Sequence, residues 1–234
     1  RYRCPTASLS MDDIYHTRET REQLAAEVHP LLITRGVPGT HDIGLGNRVL
    51  DRLMAANAGS RTPLPLFNKA VDDREPEEKW PLFIGHPGII LVEGWCLCAQ
   101  PEPDSALATP VNVLEETEDR DGRWRAYVND QLKGPYADFF ARVELLVMLK
   151  APSMASVLEW RTLQEHRLAE AYRDAPKEGV NGESTAPEMR IMSDQEVQRF
   201  IMHYERTTRH ALEEMPARAD VLLTLDEDHT LRQA

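Results

Sequence analysis

The chain has 234 residues, 41% of them apolar and 28% charged, with a formal net charge of −12. That size and composition suit one α/β domain able to bury a core, and the acidic balance argues against a broad nucleic-acid or anionic-membrane surface. No apolar run approaches the ~20 residues that cross a bilayer, and no signal peptide is visible, so a cytoplasmic protein is expected. Cys96 and Cys98 are one residue apart, too close for an ordinary disulfide, and lack the His or Cys partners of a zinc site. Together with Cys4 they are expected to be free thiols.

Residues 5–10 read as a short strand, followed by a helix from near Glu19 with Leu24, Val28, Leu31 and Leu32 at helical spacing. Pro38-Gly39 breaks that pattern. Asp42 is placed to cap a second helix with Leu45, Val49, Leu50 and Leu53 on its inner face. Residues 57–87 carry Pro63, Pro65, Pro76, Pro81 and Pro87 and read as loop-rich. Residues 88–93, an aliphatic run that ends in Glu93-Gly94-Trp95, read as a strand buried on both faces, as in a parallel sheet covered by helices. Residues 100–122, with Glu115, Glu116, Glu118, Asp119 and Asp121, read as a solvated loop and helix face.

Trp124 to Arg142 reads as helix, with Tyr127, Leu132, Tyr136 and Phe140 as packing anchors, and Val143 to Leu149 as a further strand ended by Pro152. A long helical pattern over 153–175 carries Trp160, Leu163 and Leu168. Residues 176–188, rich in Pro, Gly, Ser and Glu, read as a mobile connection. A helix capped by Ser193 runs to Glu214 and precedes a last strand at Ala219 to Leu225.

Two of these strands run into carboxylates. Glu93 falls where one stops, at the carboxyl edge where open α/β sheets bind ligands; the alternative is a core strand followed by a solvated Glu93. In Ala7-Ser8-Leu9-Ser10-Met11-Asp12-Asp13-Ile14-Tyr15 a short apolar strand again meets carboxylates, then an aromatic.

Together the two segments resemble the uridine kinase, phosphoribulokinase and pantothenate kinase group of P-loop small-molecule kinases. That group carries a Ser-x-Asp-x-Phe-Tyr-like motif after one strand and a Glu-Gly motif after the next. Arg35-Gly36-Val37-Pro38-Gly39-Thr40-His41-Asp42, then Phe67-Asn68-Lys69-Ala70 with Asp72-Asp73-Arg74, and Trp160-Arg161 with Gln164-Glu165, are similar to the glycerate 3-kinase branch. The chain departs from that branch at Asn68, where the pattern carries Asp.

The resemblance implies a parallel-sheet P-loop kinase fold with helices on both faces, working with ATP and Mg²⁺ on a small-molecule substrate. Such kinases begin with a strand, a phosphate loop G-x-x-x-x-G-K-[ST] and a helix; the loop cradles phosphates and its hydroxyl holds Mg²⁺. The sequence contains no such pattern. It is expected to be one kinase domain over 1–234 that lacks this first, central strand, its loop and its helix. Such a chain would be poorly stable and hold ATP weakly. Residues 57–87 would be a substrate segment and 153–190 a lid-like helix with its connection.

By the same resemblance Asp12 is the base for the accepting hydroxyl, and Asp13 its helix-capping or metal-water neighbour. Glu93 holds Mg²⁺ through water, since that ion keeps several waters and takes few protein carboxylates. Tyr15, Arg35, Thr40, His41, Asp42, Lys69 and Arg74 hold the substrate, and Arg161 closes over ATP phosphates. The plain alternatives are that Asp12 and Asp13 only cap the helix near Glu19, that His41 is a surface residue, and that Arg161 pairs with Glu165 on a solvated face. The implied activity is phosphorylation of D-glycerate. A uridine-type nucleoside kinase and a non-catalytic binding protein are the rivals.

Overall fold

The computed structural model describes residues 4–174 and 192–232. The connection expected over 176–188 lies outside them. The chain divides into two compact units, Arg1–Leu146 and Val147–Ala234.

In the first unit β1 (Thr6–Ser10) enters a 3-10 turn at Met11–Ile14, followed by α1 (Arg18–Glu27) and α2 (Ile43–Met54). Then come β2 (Arg61–Pro63), β3 (Phe67–Asn68), β4 (Asp73–Arg74), β5 (Leu82–Ile84) and β6 (Ile89–Glu93). The unit ends with α3 (Val113–Glu118), α4 (Arg123–Lys133) and α5 (Pro135–Phe140). β1 and β6 run parallel, in a register that sets Thr6 opposite Ile89 and Ser10 opposite Glu93, so the two carboxylate-bearing strand ends lie side by side.

Ala7, Leu9, Met11, Ile14, Leu32, Leu53, Tyr136 and Phe139 form the buried centre of this unit. α2 presents Leu45, Val49, Leu50 and Leu53 inward, as its spacing predicts. β6 corrects its expectation: Ile89 and Leu91 are each 52% exposed. β1 is its only hydrogen-bonded neighbour among the described residues, and the face shared by Ile89, Leu91, Thr6 and Ser8 is open.

Three further differences have local causes. The loop-rich residues 57–87 also contain short strands not expected from the sequence: β2 pairs with β5 and β3 with β4, both antiparallel. Strands of two or three residues are too short to show an alternating pattern. The helix expected over 124–142 is two, broken at Gly134-Pro135, with Pro135 at the first position of α5, where a missing N–H costs nothing. The acidic stretch is not simply solvated, because Glu115 and Asp119 are fully buried. Glu115 accepts from Val111 N at 3.0 Å and Asp119 caps α4 through Trp124 N at 2.7 Å. Charge pattern alone does not distinguish such capping carboxylates from solvated ones.

The second unit contains β7 (Val147–Lys150), α6 (Met154–Asp174), α7 (Asp194–Glu214) and β8 (Val221–Thr224), with β7 and β8 parallel. The strand expected from Val143 thus starts later. Ser193 and Glu196 form a reciprocal capping box on α7. The Trp160 indole donates to Glu227 O at 2.8 Å and lies 4.2 Å from the His229 ring, tying the turn after β8 to α6. The protein is therefore mixed α/β with a parallel strand pair in each unit. Its three cysteines form no disulfide, and no helix among the described residues is long and apolar enough to cross a membrane.

Candidate active site

The site begins at the paired ends of β1 and β6. Ser10 Oγ accepts from Asp12 N at 3.2 Å, starting the 3-10 turn that carries both aspartates. A Cβ on Gly94 would lie 2.5 Å from the Met11 side chain, so only glycine lets that turn close against the end of β6. Asp12 and Asp13 do not cap the following helix. Thr17 does, accepting from Thr20 N at 3.3 Å. The capping alternative for the two aspartates therefore fails.

Both Asp12 oxygens have partners: Tyr15 OH donates to Oδ1 at 2.8 Å and Lys69 Nζ to Oδ2 at 2.6 Å. Burial raises the Asp12 carboxyl, but the bonds from Lys69 and Tyr15 outweigh it and hold it below its ordinary value. Asp13 Oδ1 accepts from Phe67 N at 3.0 Å. Burial raises Asp13 above its ordinary value, and the Asp12 and Glu93 charges add to that against the Phe67 bond. Glu93 is exposed at the strand end. Three carboxylates at one sheet edge are hard oxygen donors suited to Mg²⁺.

The loop from Arg35 to Asp42 packs behind them. Gly36 and Gly39 take φ of 134° and 100°, and Thr40 Oγ1 binds Val37 O at 2.8 Å and Gly36 N at 3.0 Å. Thr40 is fully buried, so its hydroxyl holds the loop together. His41 is buried rather than on the surface, stacked on Tyr15 at 4.5 Å, with Nδ1 2.6 Å from Tyr136 OH. Burial pushes its pKa down to about 3, so it is neutral at physiological pH.

Asp42 caps α2 through Leu45 N at 2.8 Å and meets Arg74 Nη1 at 3.2 Å. Arg74 also donates twice to Tyr15 O, at 3.1 and 2.7 Å, so it braces the tyrosine. Arg35 pairs with Asp72 and lies over the Phe67 ring at 5.5 Å. Asn68 donates to Glu75 at 2.7 Å, a bond an Asp could not make to a carboxylate. Lys69 is the most open of these cations, with 61% of its side chain exposed.

Arg161 belongs to the second unit, where it pairs with Glu165 at 2.5 Å and lies over the Phe200 ring at 5.5 Å. Glu165 is buried, so that pair is not merely a solvated one. One other grouping in the first unit, His29, Asp119 and Asp121, brings three potential ligands together. Both oxygens of its Asp119 already accept from Trp124 N, Arg125 N and the Arg125 guanidinium, and a cation would have to compete with them.

Sequence reading missed two participants. Tyr136, read only as a packing anchor, reaches across 95 residues to His41. Arg21 is buried and donates to His16 O, Ile33 O and Asp72 O, and Asp72 in turn holds Arg35. No local pattern links these positions. The run Asp72-Asp73-Arg74 was visible, but not which of its charges turn inward.

No family model matches the sequence. Over 210 residues it is 27% identical to the uncharacterized kinase mug58 of Schizosaccharomyces pombe, covering 83% of this chain and 66% of that protein. It thus spans just under two thirds of that relative's length. Among solved structures it is similar to the D-glycerate 3-kinase of Cryptococcus neoformans, with a TM-score of 0.75 and 20% identity over 100% of this chain and 80% of the other. It is similar also to the YGR205w protein, with a TM-score of 0.69 and 22% identity over 99% and 78% of the two chains. The likeness in structure and the relative's name meet on one statement: this chain has a kinase-like α/β fold.

Proposed function

We propose that the chain carries the acceptor side of an ATP-dependent, Mg²⁺-assisted kinase that phosphorylates a hydroxyl of a small polar acid, D-glycerate first among them. The observation that carries this reading is Asp12, placed at a parallel strand end beside Glu93 and Asp13 and paired with an exposed Lys69. A carboxylate whose cationic partner is solvent-facing can exchange that partner for substrate.

An incoming acid's carboxylate draws Lys69 from Asp12, and Oδ2 becomes free to accept the substrate hydroxyl proton. Losing the Lys69 bond also raises the Asp12 carboxyl toward its ordinary value, making it a better base. Tyr15 keeps Oδ1 in place, and Arg74 and Asp42 fix Tyr15. The hydroxyl oxygen bonds to the γ-phosphorus as the bond to ADP breaks. Mg·ATP supplies that phosphoryl group when bound; Glu93 and Asp13 are the residues that would hold the metal through water, and Arg161, on the second unit, is the cation assigned to the ATP phosphates by the resemblance alone. Arg35, Thr40 and His41 complete the acceptor pocket, Thr40 through the loop it fixes.

The test is ATP-dependent phosphorylation of D-glycerate and uridine by Arg1–Ala234 beside the full product of its gene. Glycerate turnover in either supports the reading, and uridine turnover shifts it to a nucleoside kinase. Inactivity of both, without ATP binding, leaves a non-catalytic binding protein.

A further inference from the structure

A phenolic oxygen has one proton to give and two lone pairs to fill. Tyr136 OH, fully buried on α5, accepts from Gly39 N at 2.8 Å and from His41 N at 3.3 Å. Those backbone donors cannot be reversed, and they occupy both lone pairs. The phenol's own proton therefore goes to its third neighbour, His41 Nδ1, at 2.6 Å. Nδ1 must then be an acceptor. A neutral imidazole with an unprotonated Nδ1 carries its hydrogen on Nε2.

His41 is neutral because its ring is almost wholly buried. The titratable groups acting on it are Asp12, which favours the imidazolium, and His16, which when protonated opposes it; Cys96, a neutral thiol with its pKa pushed up to about 12, stands by Tyr136. Nε2 makes no hydrogen bond among the described residues. The ring carrying it lies flat on Tyr15, whose hydroxyl holds Asp12. A donor of fixed identity is thus kept next to the base.

We infer that Tyr136 is a positioning residue that locks His41 in its Nε2–H form, and that this N–H donates to an oxygen of the acceptor substrate. The inference rests on the kinase reading for the identity of the acceptor, but the lock itself does not. A neutral N–H donor grips a hydroxyl or carboxylate oxygen without adding a cation that would compete with Lys69 for Asp12. Two backbone amides of the Gly39–His41 loop converge on the same hydroxyl, so one phenol sets both the loop's shape and the imidazole's tautomer.

The experiment is nitrogen-15 NMR of the full gene product labelled in histidine, from about pH 8 to about pH 5, with His41 assigned by its loss in His41→Gln. The expected spectrum shows a neutral Nε2–H ring throughout that range, and a shift of the Nε2 proton on adding D-glycerate. In Tyr136→Phe the ring should show mixed tautomers, the KM for the acceptor should rise about tenfold from the lost hydrogen bond, and the KM for ATP should stay unchanged. His41→Gln, which keeps an N–H near the Nε2 position, should retain more acceptor affinity than His41→Ala.

A wild-type His41 that carries its proton on Nδ1, or titrates near its ordinary value, overturns the lock even if Tyr136→Phe fails to fold. The expected tautomer with no acceptor-induced shift in an active enzyme overturns the donation. The expected tautomer in a protein that phosphorylates nothing keeps the lock and removes the kinase reading, so the two failures are distinct.

Discussion

The first unit contains two clusters of buried or half-buried charge, and they are built in opposite ways. Around Asp119 both carboxylate oxygens are held by groups that cannot leave: two backbone amides at the start of α4 and an arginine that also bonds Leu107 O and Asp119 O. Around Asp12 one of the two partners is a lysine on a solvent-facing side chain, and the neighbouring histidine holds a donor in reserve. Its fixed partners mark Asp119 as a helix cap, whereas an exchangeable partner at Asp12 is what the proposed function requires. Net charge and burial alone would have ranked the first cluster above the second.

The sharpest way to break this comparison is Asp119→Ala. It leaves the Arg125 guanidinium and two amides of α4 without their acceptor, and should cost about 3–5 kcal/mol of stability, read as a lower urea midpoint. Turnover per folded molecule should be unchanged. Asp12→Asn should do the reverse: turnover falls about 10²–10⁴-fold, while the urea midpoint moves much less, because its Lys69 partner faces solvent. If both variants lose mainly stability, the distinction between the clusters collapses.

A third outcome concerns pH. His41's folded pKa, about 3, lies below its unfolded value of 6.5, so the unfolded chain takes up the proton first. The stability linked to this group is complete above pH 6.5 and declines as pH falls toward 3, by at most about 1.4 kcal/mol per pH unit. Urea midpoints through that window should slope less in His41→Gln than in wild type; parallel curves would remove His41 from the buried neutral state. The smallest effect belongs to Lys69→Met. Its loss should raise the Asp12 carboxyl and move the acid limb of the kcat/KM profile to higher pH, with the acceptor KM up about tenfold.

Much of this was legible along the chain. The two carboxylate-ended strands, the caps at Asp42 and Ser193, and the inner face of α2 follow from local chemistry, because a strand, a cap and a helix face are each encoded within a dozen residues. The nature of the charges was less so. Asp119 and Glu115 read as solvated because burial of a carboxylate depends on whether distant backbone amides are aimed at it, as at Trp124 and Val111.

The sequence by itself determined that Asp12, Asp13 and Glu93 would sit at strand ends and that a Pro-Gly loop would separate the first two helices. Only the tertiary structure decided that the strand ends are neighbours, that Gly94 admits the Met11 turn, and that Lys69 meets Asp12 while Tyr136 meets His41. It also decided that β6 half-buries one face and leaves the other open. The physical reason is separation along the chain. Helix and strand patterns are local, whereas Asp12 finds Lys69 across 57 residues and His41 finds Tyr136 across 95, through packing that no spacing records.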